Sequence, residues 1–189
     1  LGEGVQSSIT MGAFRSIRIF LLGEVRKQGA YTVSALSTTI NALLSCGGIK
    51  ETGSLRRIQL KRGGKVLSTL DLYDLLMHGD TSADQPLQPG DVIFVPMVEK
   101  QITISGAVRR SAKYEILQNE TLQDSIDLAG GVNNRAYLNN IRIERLGSDF
   151  RPRIKNLKMP EDLSFKIQSG DLISFSSAGV KVTNSVSLI

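Results

Sequence analysis

One thiol and one imidazole, Cys46 and His78, are the only such groups in this sequence. A serine or cysteine nucleophile needs an adjacent base, normally histidine. His78 falls within the polar stretch Met77–Gln85 and reads as a solvated loop residue. Glycoside hydrolysis would need two carboxylates facing each other across a cleft. Asp71, Asp74, Asp80, Asp84 and Asp91 are close in sequence, but they occupy expected turn and loop positions, and Asp91 follows a turn glycine whose geometry its side chain would fix. The Asp80–Asp84 segment lacks calcium-loop spacing, and no histidine–cysteine cluster offers a transition-metal site. Gly23, Gly47-Gly48 and Gly63-Gly64 include no Gly-x-x-x-x-Gly-Lys run that could cradle a phosphate. The sequence therefore predicts no catalytic residue, no metal and no cofactor.

Two basic, aromatic clusters remain. Arg26, Lys27 and Tyr31 form one; Arg109, Arg110 and Tyr114 form the other. An aromatic face beside cations suits an acidic polymer or a neighbouring subunit. The competing reading packs each tyrosine on a sheet with its hydroxyl at the rim and leaves the cations solvated.

The two clusters correspond because the chain repeats itself. Gly23–Arg62 aligns with Gly106–Arg145 at a constant offset of 83, and ten of the forty pairs are identical, from Gly23/Gly106 to Arg62/Arg145. A duplicated structural unit is implied. Downstream the offset becomes 80, so that Gln88-Pro89-Gly90-Asp91 meets Gln168-Ser169-Gly170-Asp171. The change of three places an insertion or deletion in the intervening loop.

Each copy opens with strand-like alternation, Ile17, Ile19 and Leu21 in the first and Ile102 and Ile104 in the second, ending at a shared glycine. A short turn leads to a second strand, Tyr31–Val33 or Tyr114–Ile116, forming a hairpin. Leu36, Ile40, Leu43 and Leu44, and then Leu122, Ile126 and Ala129, recur at helical spacing. Thr38 and Thr121 stand at the helix starts, Thr121 with Asp124 in capping-box spacing, and a Gly-Gly pair supplies each stop. Cys46 aligns with Ala129 and reads as a small buried residue on the inner side of the helix end. Strands follow at Ile58–Arg62, matched by Ile141–Arg145 in the second copy, and at Val66–Leu70, then a loop and a last strand at Val92–Val95. The order predicts an α+β unit with one helix across a mixed sheet, built twice.

The 189 residues are 41% hydrophobic with mean hydropathy −0.04, ordinary values for a globular chain. No apolar run approaches the ~20 residues that span a bilayer. Net charge is +5, and residues 1–99 carry ten basic and nine acidic side chains against thirteen and nine in 100–189. The excess belongs mainly to the second copy. Basic stretches such as Lys61-Arg62-Gly63-Gly64-Lys65 raise nucleic acid as a partner, but aromatic content is 5% with no tryptophan, and strand alternation puts many of these cations on the wet face. Nucleic acid is not expected.

Phe14–Val25, Gly29-Ala30-Tyr31-Thr32-Val33 with Ser37-Thr38, the Gly-Gly helix end and Leu87–Pro96 together resemble the SLBB domain, a soluble-ligand-binding β-grasp module. Val108–Ile116 and Leu128-Ala129-Gly130-Gly131 are similar to the same signature. The closer resemblance is to the tandem SLBB repeats of bacterial polysaccharide export proteins. Where that family commonly has Pro-Gly in the hairpin turn, this sequence has Gln28-Gly29 and Ser111-Ala112, and Ser169 replaces the proline seen at Pro89. The resemblance implies two tandem β-grasp domains at 15–98 and 99–177, after a linker or strand at 1–14. Residues 178–189 read as the opening of a third repeat, in a piece of a longer protein. It further implies a non-enzymatic periplasmic scaffold or conduit, outer-membrane-associated through regions outside this segment. Its partners would be neighbouring subunits, inner-membrane export or polymerisation machinery and acidic polysaccharide. The alternative is a soluble-ligand or glycan-binding module using the hairpin cations.

Overall fold

Alternation at the start of the first copy becomes a strand with two faces: in β1 (Ser16–Gly23) Ile17, Ile19 and Leu21 point into the core while Arg18, Phe20 and Leu22 point out. The computed structural model describes residues 15–177 and divides the chain into two compact units, with the break between Met97 and Val98. The expected linker at 1–14 and third-repeat opening at 178–189 lie outside the described residues.

In the first unit β1 is followed by β2 (Gly29–Ser34), α1 (Thr39–Ser45), β3 (Ile58–Arg62), β4 (Lys65–Leu70) and β5 (Val92–Val95). The sheet order is β2-β1-β5-β3-β4, with β1 and β5 parallel at its centre and the other pairs antiparallel. A parallel pair cannot be joined by a tight turn, so the rest of the unit forms the connection between β1 and β5. Ala42, Leu43 and Cys46 of the helical segment close the core against Ile19, Leu21, Ile58, Leu60 and Ile93.

The second unit repeats this with β6 (Gln101–Gly106), β7 (Ala112–Glu115), α2 (Leu122–Leu128), β8 (Ala136–Leu146), β9 (Pro152–Leu157) and β10 (Leu172–Ser177), in the order β7-β6-β10-β8-β9. The registers of the central strands agree residue for residue. Leu21 pairs with Ile93 and Ile93 with Leu60; Ile104 pairs with Ile173 and Ile173 with Ile143, so offsets of 83 and 80 meet within one sheet. Two mixed five-stranded sheets, each with one short helix, make an α+β architecture of tandem β-grasp type.

Gly23 and Gly106 end the central strands with φ of +84° and +87°. A Cβ at either position would overlap the carbonyl oxygen of Val95 or Phe175. Those oxygens accept from the next residues, Glu24 and Ala107, each at 2.8 Å. Only glycine permits that approach.

The helices begin and end as their local chemistry dictates. The Thr38 side chain accepts from the Asn41 amide, and Thr121 with Asp124 forms a reciprocal capping box. At the other ends the Gly48 and Gly131 amides donate back to Leu43 and Ile126 at 3.0 and 2.9 Å.

Three expectations need correction. Leu36 lies before the cap and Leu44 lies about 100° round the helix from Leu43, so they are 71% and 70% exposed rather than core. β8 starts at Ala136, five residues earlier than expected from Ile141. In the first unit the Ser54 hydroxyl accepts from the Arg56 and Arg57 amides and turns the chain there. Finally, the stretch read as a loop from Met77 opens inside a π-helical turn, Asp74–His78, closed by Gly79 at φ +70°.

Candidate functional site

The hairpin clusters are tied to the helix exits. Val25 and Val108 are buried and bridge to Ile49 and Val132, and the amides of Arg26 and Arg109 donate to Gly48 and Gly131, both at 3.0 Å. This sets the cations beside a helix C-terminus, where exposed carbonyls favour positive charge. Arg110 goes further and donates from Nη2 to the Leu128 carbonyl at 3.3 Å. The Tyr31 hydroxyl donates to the Lys27 carbonyl at 2.8 Å and the Tyr114 hydroxyl to the Arg110 carbonyl at 2.7 Å. Tyr114 is only 6% exposed, and burial raises its phenol pKa against the opposing pull of Arg110. Each tyrosine thus ties its own hairpin, while Arg26, Lys27 and Arg109 present exposed charge.

The residues considered for chemistry each have another occupation. The Cys46 thiol is buried and donates to the Leu43 carbonyl at 3.0 Å. Asp71 pairs with Arg56 at 2.9 Å, Asp84 accepts from the Ile40 amide, and Asp80 accepts from the Ser82 amide, which lowers its carboxyl pKa. Exposed His78 lies 3.8 Å from exposed Asp74 at helical spacing. Among the described residues no histidine, cysteine and carboxylate group could hold a metal ion.

A pair of ionic clamps escaped the sequence reading. Asp91 and Asp171 are fully buried and accept two bonds each, at 2.8 and 2.9 Å from Arg62 and at 2.7 Å twice from Arg145. These bonds raise both guanidinium pKa values above the ordinary arginine range. The same carboxylates accept from the Gln88 and Gln168 amides at 2.8 Å, the turn-fixing bond expected of them. Arg62 and Arg145 also donate to the carbonyls of Pro86 and Lys166. The identical Arg62/Arg145 pair was the available signal. Counting these arginines among wet-face cations hid it, since both are only partly exposed.

Beyond the clamp of the second unit a cleft of about 310 Å³ opens between the Ile116–Asn119 and Lys166–Ser169 segments, with Lys100 on its rim. It was not anticipated. None of the six hairpin residues lines it.

Residues 17–95 match a family model described as SLBB domain, and residues 101–153 match a second model of the same description. The chain belongs to the SLBB family. It is 29% identical over 170 residues to the EPS I polysaccharide export outer membrane protein EpsA of Ralstonia nicotianae, covering 87% of this chain and 44% of that protein. The Ralstonia solanacearum protein of the same name is 28% identical over 186 residues, 93% of this chain and 49% of the relative. The polysialic acid transport protein KpsD of Escherichia coli is 31% identical over 104 residues, 54% of this chain and 18% of that protein. The chain therefore spans less than half the length of these curated relatives. In this SLBB pair no helix among the described residues is long and apolar enough to cross a membrane.

Proposed function

We propose that this chain is a periplasmic segment of a polysaccharide export protein and acts without catalysis, as scaffold or conduit in an oligomeric, outer-membrane-associated assembly. The observation that carries this reading is similarity along 87–93% of the chain to proteins named for polysaccharide export, through two SLBB units in tandem. The structural employment of Cys46, Asp71, Asp84 and Asp91 supports a non-enzymatic role. Neighbouring subunits of the same protein and inner-membrane export or polymerisation machinery are its protein partners. Native mass spectrometry of the full-length parent in detergent is expected to show a closed oligomer. A monomer at all concentrations would contradict the scaffold role.

A second reading, glycan capture at the hairpins, is favoured by the exposure of Arg26, Lys27 and Arg109. In it exposed Arg110 joins these cations, and Tyr31 and Tyr114 brace the hairpins that carry them.

A further inference from the structure

We propose that the cleft of the second unit binds a carboxylated saccharide residue, with Lys100 and Lys166 meeting the carboxylate and neighbouring amides meeting the hydroxyls. Its polar lining consists of Lys100, Lys166, Gln118, Asn119, Gln168 and Ser169, all exposed to solvent. Two ammonium groups supply charge-assisted donors, three side-chain amides offer both donors and acceptors, and the serine adds a hydroxyl. Buried Ile116 and Ile167 give it an apolar floor. Its volume of about 310 Å³ is at the lower end of the range for small-ligand sites. No carboxylate lines it, and Glu120 is turned back to accept from the Leu117 amide at 2.9 Å.

The walls are held in place. Arg145, anchored by buried Asp171, donates to the Lys166 carbonyl at 3.1 Å, and Asp171 also accepts from the Gln168 amide. On the facing loop Asn119 adopts φ +69°, and its Oδ1 lies 3.5 Å from the Lys166 ammonium. The Lys166–Gln168 wall is therefore held before a ligand arrives, which lowers the ordering cost of binding.

Comparison of the copies separates this chemistry from the needs of the fold. The first unit has the same clamp, Arg62 on Asp91 with the Pro86 carbonyl. At the aligned cleft positions, however, Lys100 is replaced by Ile17, Asn119 by Leu36, Lys166 by Pro86 and Ser169 by Pro89. The fold is built equally well with no charge there. The second unit has two lysines at this corner where the first has an isoleucine and a proline.

The proposal rests on the export reading only for the source of the sugar. NMR titration of the chain at millimolar glucuronate and with a short oligogalacturonate tests it, with glucose and inorganic phosphate as parallel arms. Amide shifts confined to 117–119 and 166–169 with both uronates are expected, absent with glucose and weaker with phosphate. Lys100→Gln with Lys166→Gln should weaken uronate binding roughly tenfold or more, while Lys166→Arg retains most of it. Shifts at Arg26–Tyr31 or Arg109–Tyr114 instead would overturn the cleft in favour of the hairpins. Equal response to glucose would overturn the carboxylate, and equal response to phosphate would reduce the site to a general anion site and overturn the saccharide. Each of these failures leaves the export reading intact, because that reading is judged by polymer transport in cells.

Discussion

Asp171 is a carboxylate with no solvent exposure, and its charge is tolerable because two guanidinium nitrogens at 2.7 Å and one amide at 2.8 Å surround it. Arg145→Ala removes the charged partner and leaves the amide alone. The expected cost is about 3 kcal/mol, the lower end for breaking a buried pair, because the arginine itself remains a quarter exposed. Urea unfolding of the chain measures it. Arg145→Lys should recover only part, since one ammonium cannot reproduce the fork. A loss below about 0.5 kcal/mol, the scale of a surface pair, would show that water already solvates Asp171. Half of this arrangement was legible in the sequence. An aspartate after a turn glycine bonds an amide three residues back, a local rule that needs no tertiary information. The arginine comes from 26 residues away on an adjacent strand, and only sheet register brings it there. The same reasoning explains why Tyr114 read as a possible ligand platform. Its hydroxyl closes its own hairpin, a bond that residue type alone does not announce.

Elements whose signals are local were read correctly from residue order. Alternation gave the inward faces of β1 and β6, the threonine caps gave the helix starts, and the glycine pairs gave the stops. Errors arose where a period was extended past its boundary, as with Leu36 before the Thr38 cap, or where a neighbouring side chain redirected the backbone, as with Ser54 before β3. The central-strand glycines make the sharpest test at this scale. Gly106→Ala combines a left-handed backbone with overlap of the Phe175 carbonyl, and is expected to cost more than about 3 kcal/mol. Gly64→Ala has a similar φ of +78° but meets open space, so about 1 kcal/mol is expected. Thermal unfolding should separate the two variants clearly. Equal effects would mean that backbone conformation alone, and not the approach to the parallel strand, selects glycine at Gly106.

At the scale of the whole molecule the duplication sorts architecture from candidate function. Strand register, caps, central glycines and ionic clamps occur twice and account for most of the shared residues. Among the differences between the copies, the cationic cleft has the chemistry of a ligand site. The cleft was hidden in the sequence because Lys100, Asn119 and Lys166 come from three separated segments and lack any motif spacing. Deleting residues 15–177 from the parent reading frame in its native cell shows whether this segment moves polymer without altering it. Surface and periplasmic polysaccharide are then quantified, with immunoblotting to verify that the shortened protein accumulates. Surface polymer is expected to fall to background while polymer of unchanged sugar composition accumulates inside the envelope. Normal surface polymer, or polymer of altered chemical structure, would contradict that role.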